Sequence, residues 1–428
     1  MAGTRRRPRV GARSPEQGAE SSPLADPTLT SREVAVVGRP SKNTCHASGS
    51  TSSLSSGPHV FADLLDSLLH EIIALFNSCH DFLAFIGTCR SWRAVVSSIP
   101  SKHIISFPPL HLKPDSPYVL PHIGGFKPML LSDCKWQLSD PSKKNVSLRC
   151  SVPQNTPNTM HYMGCSYGYF IFSYEEHCLL VNALTGTKVM PPKLPPNNKL
   201  GDTCGIGIFT AAFNLPNSRL LLCSETSMFE WQVGTNRWSE HRLAIRGEHI
   251  HQMLLFNGDI FALDNRRRLY TIRLAPQFSL QEVAMMWEFM PNHWLVVSGY
   301  ILLMVDLSCG SDNLNGEPYT IFEVFRIDFS VEPAKRVKME KLENRALFVS
   351  LDKRNPTFSC TSPERWGGKS NCIYVAKLFP EETWTVVEIG QPVRRNISHC
   401  LYYSCAFPPD CSLLSSLWVF PSSVCGSG

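Results

Sequence analysis

No run of about 18 or more uninterrupted apolar residues occurs in the 428-residue chain, so its pattern contains no membrane-spanning helix and no membrane partner is expected. The first residues also lack the apolar run of a secretory signal, which makes a cytoplasmic and/or nuclear location the expectation. Cys-x-x-Cys pairs are missing too. The 16 cysteines are scattered singly from Cys45 to Cys425, and the nearest spacings are those of Cys400, Cys405 and Cys411. Zinc sites bring ligands in close pairs, because one turn presents two of them to a single ion. The expectation is therefore no metal, no disulfide framework, and reduced thiols that pack as small hydrophobes. Phosphate-binding and zinc-protease signatures are absent as well: there is no P-loop, no G-x-G-x-x-G after a strand and no H-E-x-x-H. No cofactor is expected, and an enzymatic reading finds little support.

Net positive charge is scarce outside the first 57 residues. That segment carries eight Lys and Arg against four Asp and Glu, a net of +4, whereas the whole chain carries +5; the rest is therefore close to neutral (+5 − 4 = +1). A nucleic-acid-binding fold usually carries its excess on the folded domain, so nucleic acid is not an expected partner. Residues 1–57 are rich in Ser, Pro, Gly and Arg and show neither helix nor strand period, the composition of a disordered basic tail. The run Arg5-Arg6-Arg7-Pro8-Arg9 has the composition of a nuclear import signal or part of a transit peptide, but such clusters are most often solvated tails.

What is present begins with helix. Within residues 58–100, Leu65, Leu68, Leu69, Ile72, Ile73 and Phe76 recur at three- and four-residue intervals, placing them on one helical face. Asn77 and Ser78 interrupt the run. Asp81 is suited to cap a second helix, whose apolar face is Phe82, Leu83, Phe85, Ile86 and Cys89. A short third helix is expected to carry Trp92, Val95 and Val96 and to end at Pro100. A unit of about 40 residues cannot bury all of these faces on itself, so a partner or the rest of the chain must cover the surplus.

Residues 101–124 are punctuated by Pro108, Pro109, Pro114, Pro117 and Pro121 and read as a linker. Residues 125–428 read as short β-runs separated by turns. Examples are Tyr169-Phe170-Ile171-Phe172, Cys178-Leu179-Leu180-Val181 before Leu184-Thr185-Gly186-Thr187, Leu220-Leu221-Leu222-Cys223, and Met228-Phe229-Glu230-Trp231. Met253-Leu254-Leu255-Phe256 meets Ile260-Phe261-Ala262-Leu263 across Asn257-Gly258, a strong hairpin signal because both residues tolerate positive φ. Later runs are 269–272, 295–297, 301–305, 321–327, 373–376 and 384–387. A loose repeat of about 40 to 50 residues suggests propeller blades, with a pair of β-sandwiches as the alternative. The predicted class is thus α+β multidomain: a small three-helix unit followed by an all-β, propeller-like domain. His249 and His251 alternate on a predicted strand, yet lack a third ligand. Arg266-Arg267-Arg268 could grip an acidic partner or a phosphate; the commoner explanation is a solvated hairpin tip.

The segment Phe61-Ala62-Asp63-Leu64-Leu65-Asp66-Ser67-Leu68-Leu69-His70-Glu71-Ile72 resembles the opening of an F-box, and Thr88-Cys89-Arg90-Ser91-Trp92-Arg93 resembles its closing stretch. The later stretches Leu179 to Pro195, Gly367 to Ala376 and Leu417-Trp418-Val419-Phe420-Pro421-Ser422 resemble a plant group of F-box proteins with a β-rich C-terminal domain. The resemblance implies a substrate-recruiting subunit of an SCF-type cullin–RING ubiquitin ligase. Its F-box would dock on a Skp-type adaptor, and its β-domain would bind a target protein. It also implies that Leu64, Leu65, Leu68, Leu69, Ile72, Ile86, Cys89 and Trp92 make or shape the adaptor contact. One residue departs from the pattern, since Leu65 stands where the family usually has Pro. The alternative is a ligase-independent propeller interaction protein with a degenerate F-box.

Overall fold

In the computed structural model, the described residues are 64–92, 107–115, 134–143, 147–152, 160–196, 198, 200, 205–245, 249–286, 292–311, 318–379, 382–394 and 414–420. Two helices come first, α1 (Asp66–Leu75) and α2 (Cys79–Thr88), and residues 90–92 begin a further helical turn. The rest of the expected third helix, with Val95 and Val96, lies outside the described residues.

The β-runs form six sheets among the described residues, the blades of a six-bladed propeller. Blade 1 holds β1 (Leu110–Pro114), β2 (Lys135–Ser139) and β3 (Ser147–Ser151). Blade 2 holds β4 (His161–Ser166), β5 (Tyr169–Tyr174), β6 (His177–Asn182) and β7 (Lys188–Val189). Blade 3 is β8 (Ile206–Phe209), β9 (Arg219–Cys223), β10 (Ser227–Gln232) and β11 (Ser239–Arg242). Blade 4 is β12 (Ile250–Phe256), β13 (Asp259–Asp264), β14 (Leu269–Arg273) and β15 (Ser279–Glu282). Blade 5 is β16 (Asn292–Ser298), β17 (Ile301–Ser311), β18 (Pro318–Asp328) and β19 (Lys335–Met339). Blade 6 is β20 (Arg345–Ser350), β21 (Phe358–Thr361), β22 (Cys372–Ala376) and β23 (Trp384–Glu388). A short β24 (Pro392–Val393) pairs with β18, and β25 (Leu417–Val419) pairs with β1 to complete blade 1. The ring is thus closed by strands from opposite ends of the fold. β1 lies within residues 101–124, the stretch expected to be a linker; its prolines flank the short Leu-His-Leu alternation that pairs on both sides.

The sequence shows continuous apolar runs because both faces of each sheet are covered. Leu220 and Leu222 pack toward blade 2, while Leu221 and Cys223 pack toward blade 4. Successive side chains on a strand point to opposite faces, so a strand between two neighbouring blades must be apolar at every position. Six apolar clusters result, one at each junction between neighbouring blades. Tryptophan indoles fasten several junctions: Trp136 Nε1 donates to Ala183 O at 2.7 Å, Trp238 to Pro192 O at 2.9 Å, Trp294 to Ser350 O at 2.8 Å, and Trp418 to both Val349 O and Tyr374 O at 3.1 Å. The hairpin at Asn257-Gly258 has φ of 52° and 86°, the left-handed pair its sequence demands.

Blade 6 departs from simple up-and-down order. Its strands lie β21-β20-β22-β23, with β20 parallel to β22. The second strand in sequence therefore takes the inner edge, beside β16. Residues 351–357, which connect β20 to β21, are consequently carried to the inner rim.

His111 on β1 is fully buried and neither ring nitrogen has a hydrogen-bond partner. Its ring centroid lies 5.1 Å from that of Trp418 and 5.4 Å from that of Trp384, so it serves as an apolar ring at the blade 6 to blade 1 junction. Burial, helped by Lys113, lowers its pKa to about 3. The unfolded chain takes up a proton on this residue near pH 6.5, whereas the folded chain does so only near the lowered value. The stabilising effect of neutral His111 is therefore complete above the unfolded pKa and declines as pH falls through that window, by up to roughly 1.4 kcal/mol per pH unit. His111→Phe is expected to flatten the fall in urea midpoint between pH 7 and pH 5; an unchanged slope would refute the assignment. Trp418→Ala is expected to destabilise the propeller by about 3–5 kcal/mol in urea titration, against about 0.5 kcal/mol or less for Leu148→Ala on the outer strand β3.

Candidate functional site

The helices are held on the propeller by an aromatic chain and a polar knot. Ser78, not Asp81, caps α2: its hydroxyl accepts from His80 N at 3.1 Å and Asp81 N at 3.4 Å. Asp81 lies three residues further on, inside the first turn, where its carboxylate pairs with Lys143 and is held below the usual carboxylate range by that contact. Asp140, buried at the end of blade 1, accepts from Ser78 Oγ at 2.8 Å and His80 N at 3.2 Å through one oxygen. Its other oxygen accepts from Ser142 N at 2.8 Å and Ser142 Oγ at 2.5 Å. On blade 6, Arg365 donates to Ala74 O at 2.8 Å and Asn77 Nδ2 donates to Arg365 O at 3.3 Å.

The aromatic chain starts at Trp92, stacked on Phe85 at 4.5 Å. It continues through Phe76 and Phe82 to Phe107 at 5.4 Å, then to Phe420 at 6.1 Å and Phe358 at 4.8 Å. The helices thus share one apolar core with blades 1 and 2 and with the start of β21. This division of the helical faces sorts the eight residues singled out from the sequence. Leu69 is 1% exposed and belongs to the common core. Leu64, Ile72, Ile86 and Trp92 are half-buried and pack against that core, and Cys89 is half-buried. Leu65 and Leu68 face outward at 68% and 43% exposure, joined by Leu75 at 75%. The spacing 65, 68, 72, 75 puts them on one stripe of α1, with Ile72 at its inner margin. Leu75 was not among the residues expected, although its position in the same helical period identifies it. Leu65 holds φ −59° and ψ 139°, a backbone setting that proline also adopts.

A second distinctive feature lies at the inner rim. Residues 351–357 reach across to blades 1, 2 and 5. Arg354 is buried; it pairs with Asp352 at 2.7 Å and donates to Tyr162 O on β4. Tyr162 donates its hydroxyl to Asn355 at 2.6 Å, and Asn355 donates to Ser415 Oγ at 3.2 Å. Thr357 donates to Leu295 O on β16 at 2.7 Å. At Gly164, φ is +139° and a Cβ would stand 2.7 Å from Arg354 O, so this close approach requires glycine. Asp352-Lys353-Arg354-Asn355 reads locally as an ordinary polar turn, which is why sequence reasoning passed over it.

Gly164-Cys165-Ser166-Tyr167-Gly168 has the G-x-S-x-G spacing, another feature the sequence reading missed. Its setting is a β4–β5 hairpin rather than a strand-to-helix elbow, and Ser166 Oγ accepts from Phe209 N at 3.0 Å. It is a structural joint between blades 2 and 3. Among the described residues, no three His, Cys, Asp or Glu side chains form a metal-binding group. The described cysteines are free thiols, and burial pushes Cys134, Cys223 and Cys360 up to about 12, far from reactive thiolate. No helix among the described residues is long and apolar enough to cross a membrane.

A sequence model of the KIB1-4 beta-propeller family matches residues 137–402. The chain belongs to that family. This KIB1-4 propeller matches no curated protein by sequence comparison. Among solved structures it is similar to the extracellular domain of a hybrid two component system from B. thetaiotaomicron, with 12% identity and a TM-score of 0.29 over 55% of this chain and 31% of that one. The chain therefore spans about a third of the length of that bacterial protein. It is also similar to the Cps50 (Swd1) beta-propeller domain of Myceliophteria thermophila, with 11% identity and a TM-score of 0.29 over 52% of this chain and 72% of that one. At such TM-scores, these likenesses say nothing about what this chain binds.

Asp140→Ala removes four accepted hydrogen bonds from the knot beneath α2. It is expected to destabilise helix docking by about 2–3 kcal/mol, seen as faster amide exchange in residues 79–88. Unchanged protection there would show that the aromatic chain and the Lys143 and Arg365 contacts hold the helices without Asp140.

Proposed function

We propose that this KIB1-4 propeller is the non-catalytic, substrate-recruiting subunit of an SCF-type cullin–RING ubiquitin ligase. Its helical unit docks on a Skp-type adaptor, and its propeller binds a target protein. The observation that carries this reading is the exposed stripe of Leu65 at the N-cap and Leu68 and Leu75 on α1, a helix whose other face packs through Leu69, Ile72 and Ile73 on the core shared with blades 1 and 2. Such a stripe fits an apolar groove on a partner. The F-box-like spacing from Leu64 to Trp92 supports the choice of a Skp-type partner. A helical unit locked to the propeller also suits the task physically: it holds a bound target at a fixed distance from a ubiquitin-loaded enzyme, a proximity effect.

The burial of Leu69 in a core shared with blades 1 and 2 favours a second reading, a ligase-independent interaction protein. In that reading α1 and α2 are only a cap on the ring. Binding of the full chain to a Skp-type adaptor separates the two. Leu65→Asp and Leu68→Asp are expected to abolish capture while leaving the urea midpoint within about 0.5 kcal/mol of wild type, since both positions are solvent-facing. If the unaltered chain fails to capture adaptor under conditions where an ordinary F-box protein succeeds, the ligase reading is lost. Trp92→Ala is a poorer probe, because the ring stacks on Phe85 and its loss would also loosen the core.

A further inference from the structure

The ring closes on little backbone. β25 is three residues long, and its ladder with β1 pairs Leu110 with Val419, His111 with Trp418, and Leu112 with Leu417. Beside that ladder lies blade 6, reached by the Trp418 indole. The helices cross this seam. Phe82 of α2 packs on Phe107 with ring centroids 5.4 Å apart, Phe107 on Phe420 at 6.1 Å, and Phe420 on Phe358 at 4.8 Å. Phe107 leads into β1, Phe420 follows β25 and Phe358 opens β21 of blade 6, so one row of rings joins the helices to all three strands.

The elbow between α1 and α2 is fastened from both sides of the seam. The last carbonyls of a helix need partners from elsewhere, and α1 has no basic residue in its last turn. Blade 6 supplies that cation: Arg365 donates to Ala74 O at 2.8 Å, and Asn77 Nδ2 donates to Arg365 O at 3.3 Å. Blade 1 supplies the opposite charge at the start of α2, where Asp140 accepts from Ser78 Oγ at 2.8 Å and from His80 N at 3.2 Å. Each sign suits the helix end that it meets. Arg365 is itself firmly seated. It belongs to the 3-10 turn Pro363–Trp366, whose Trp366 ring is buried 5.5 Å from that of Tyr374 and 6.2 Å from that of Phe348. Trp418 of the closing strand lies in the same apolar cluster. The grip on α1 and the closure of the ring therefore share one packed core.

We propose that the α1–α2 elbow is a strap that holds the ring shut, clamping blade 1 to blade 6 across the β25–β1 seam. The short ladder does not carry closure by itself. Before the ring opens, the row from Phe82 to Phe358 and the Asp140 and Arg365 fastenings must part as well. The inference goes beyond the ligase reading, because the strap uses the inner side of the helices and needs no adaptor on the outward stripe. It also gives that stripe a consequence: a partner that binds the docked helices in preference to the undocked ones protects the seam by linkage.

Native-state amide exchange of the full chain tests the strap, with Phe82→Leu as the decisive variant because it alters only the helix side. Residues 110–112 and 417–419 are expected to exchange at least about fivefold faster, as loss of one ring from the row predicts, while β13 in blade 4 keeps its rate. Arg365→Gln, at an exposed position, is expected to act on the same residues in the same direction. Should Phe82→Leu fail to fold by circular dichroism, Asn77→Ala takes its place as the helix-side variant, since it removes the bond to Arg365 O. Faster exchange confined to residues 66–88, with the seam unchanged, overturns the proposal. Equal acceleration of the seam and of β13 overturns it too, because that is general destabilisation. So does acceleration of the seam by Arg365→Gln alone, which places the effect within blade 6. No adaptor enters these measurements, so the strap and the ligase reading fail separately.

Discussion

Each sheet of the ring is apolar on both faces, so none of the six is stable until a neighbour covers each side. This one requirement governs the rest of the molecule. It demands closure, and closure is supplied by the three-residue strand β25 pairing with β1. It places Trp136, Trp294 and Trp418 at blade junctions, where each indole N–H finds a carbonyl of the next blade. It also explains why a histidine serves as an apolar ring at position 111. In a junction without water, a neutral imidazole between two tryptophans is tolerated, whereas a charged one is not.

The same logic extends to the helices. Their surplus apolar surface is covered on one side by blades 1 and 2, and among the described residues Leu65, Leu68 and Leu75 stay exposed. The aromatic chain from Trp92 to Phe358 supplies much of the buried area, and Asp140 and Lys143 set the position of α2. The helical unit and the propeller are consequently one folded body rather than two modules on a flexible joint. For a protein proposed to hold a target near a reaction centre, that rigidity is the useful property.

Much of this was legible along the chain. The runs at 169–172, 220–223, 253–256 and 373–376 are all strands, since fully buried strands advertise themselves as continuous apolar segments. Asn257-Gly258 announced its hairpin. Leu68 and Leu69 were correctly placed on a helix, and Leu65 proved to be its N-cap, but their period could not say which would face the propeller and which the solvent. The capping of α2 was read one turn too late: Asp81 has the right chemistry, yet Ser78 is supported by Asp140, 62 residues away. β1 and β25 were obscure because three to five residues carry little periodicity, and their pairing spans some 300 positions.

By itself, then, the sequence determined the elements whose signal is local: apolar runs that must be strands, a leucine-rich period that must be a helix, turns that require positive φ. The tertiary structure alone decided how those elements are covered. The number of blades, the parallel insertion in blade 6 and the inward placement of residues 351–357 depend on pairing between distant segments, and no local pattern encodes it. The connection 351–357 is the sharpest case: Asp352, Arg354 and Asn355 look like an ordinary polar turn in their own stretch of chain, and only the parallel insertion in blade 6 brings Arg354 and Asn355 to Tyr162 on blade 2.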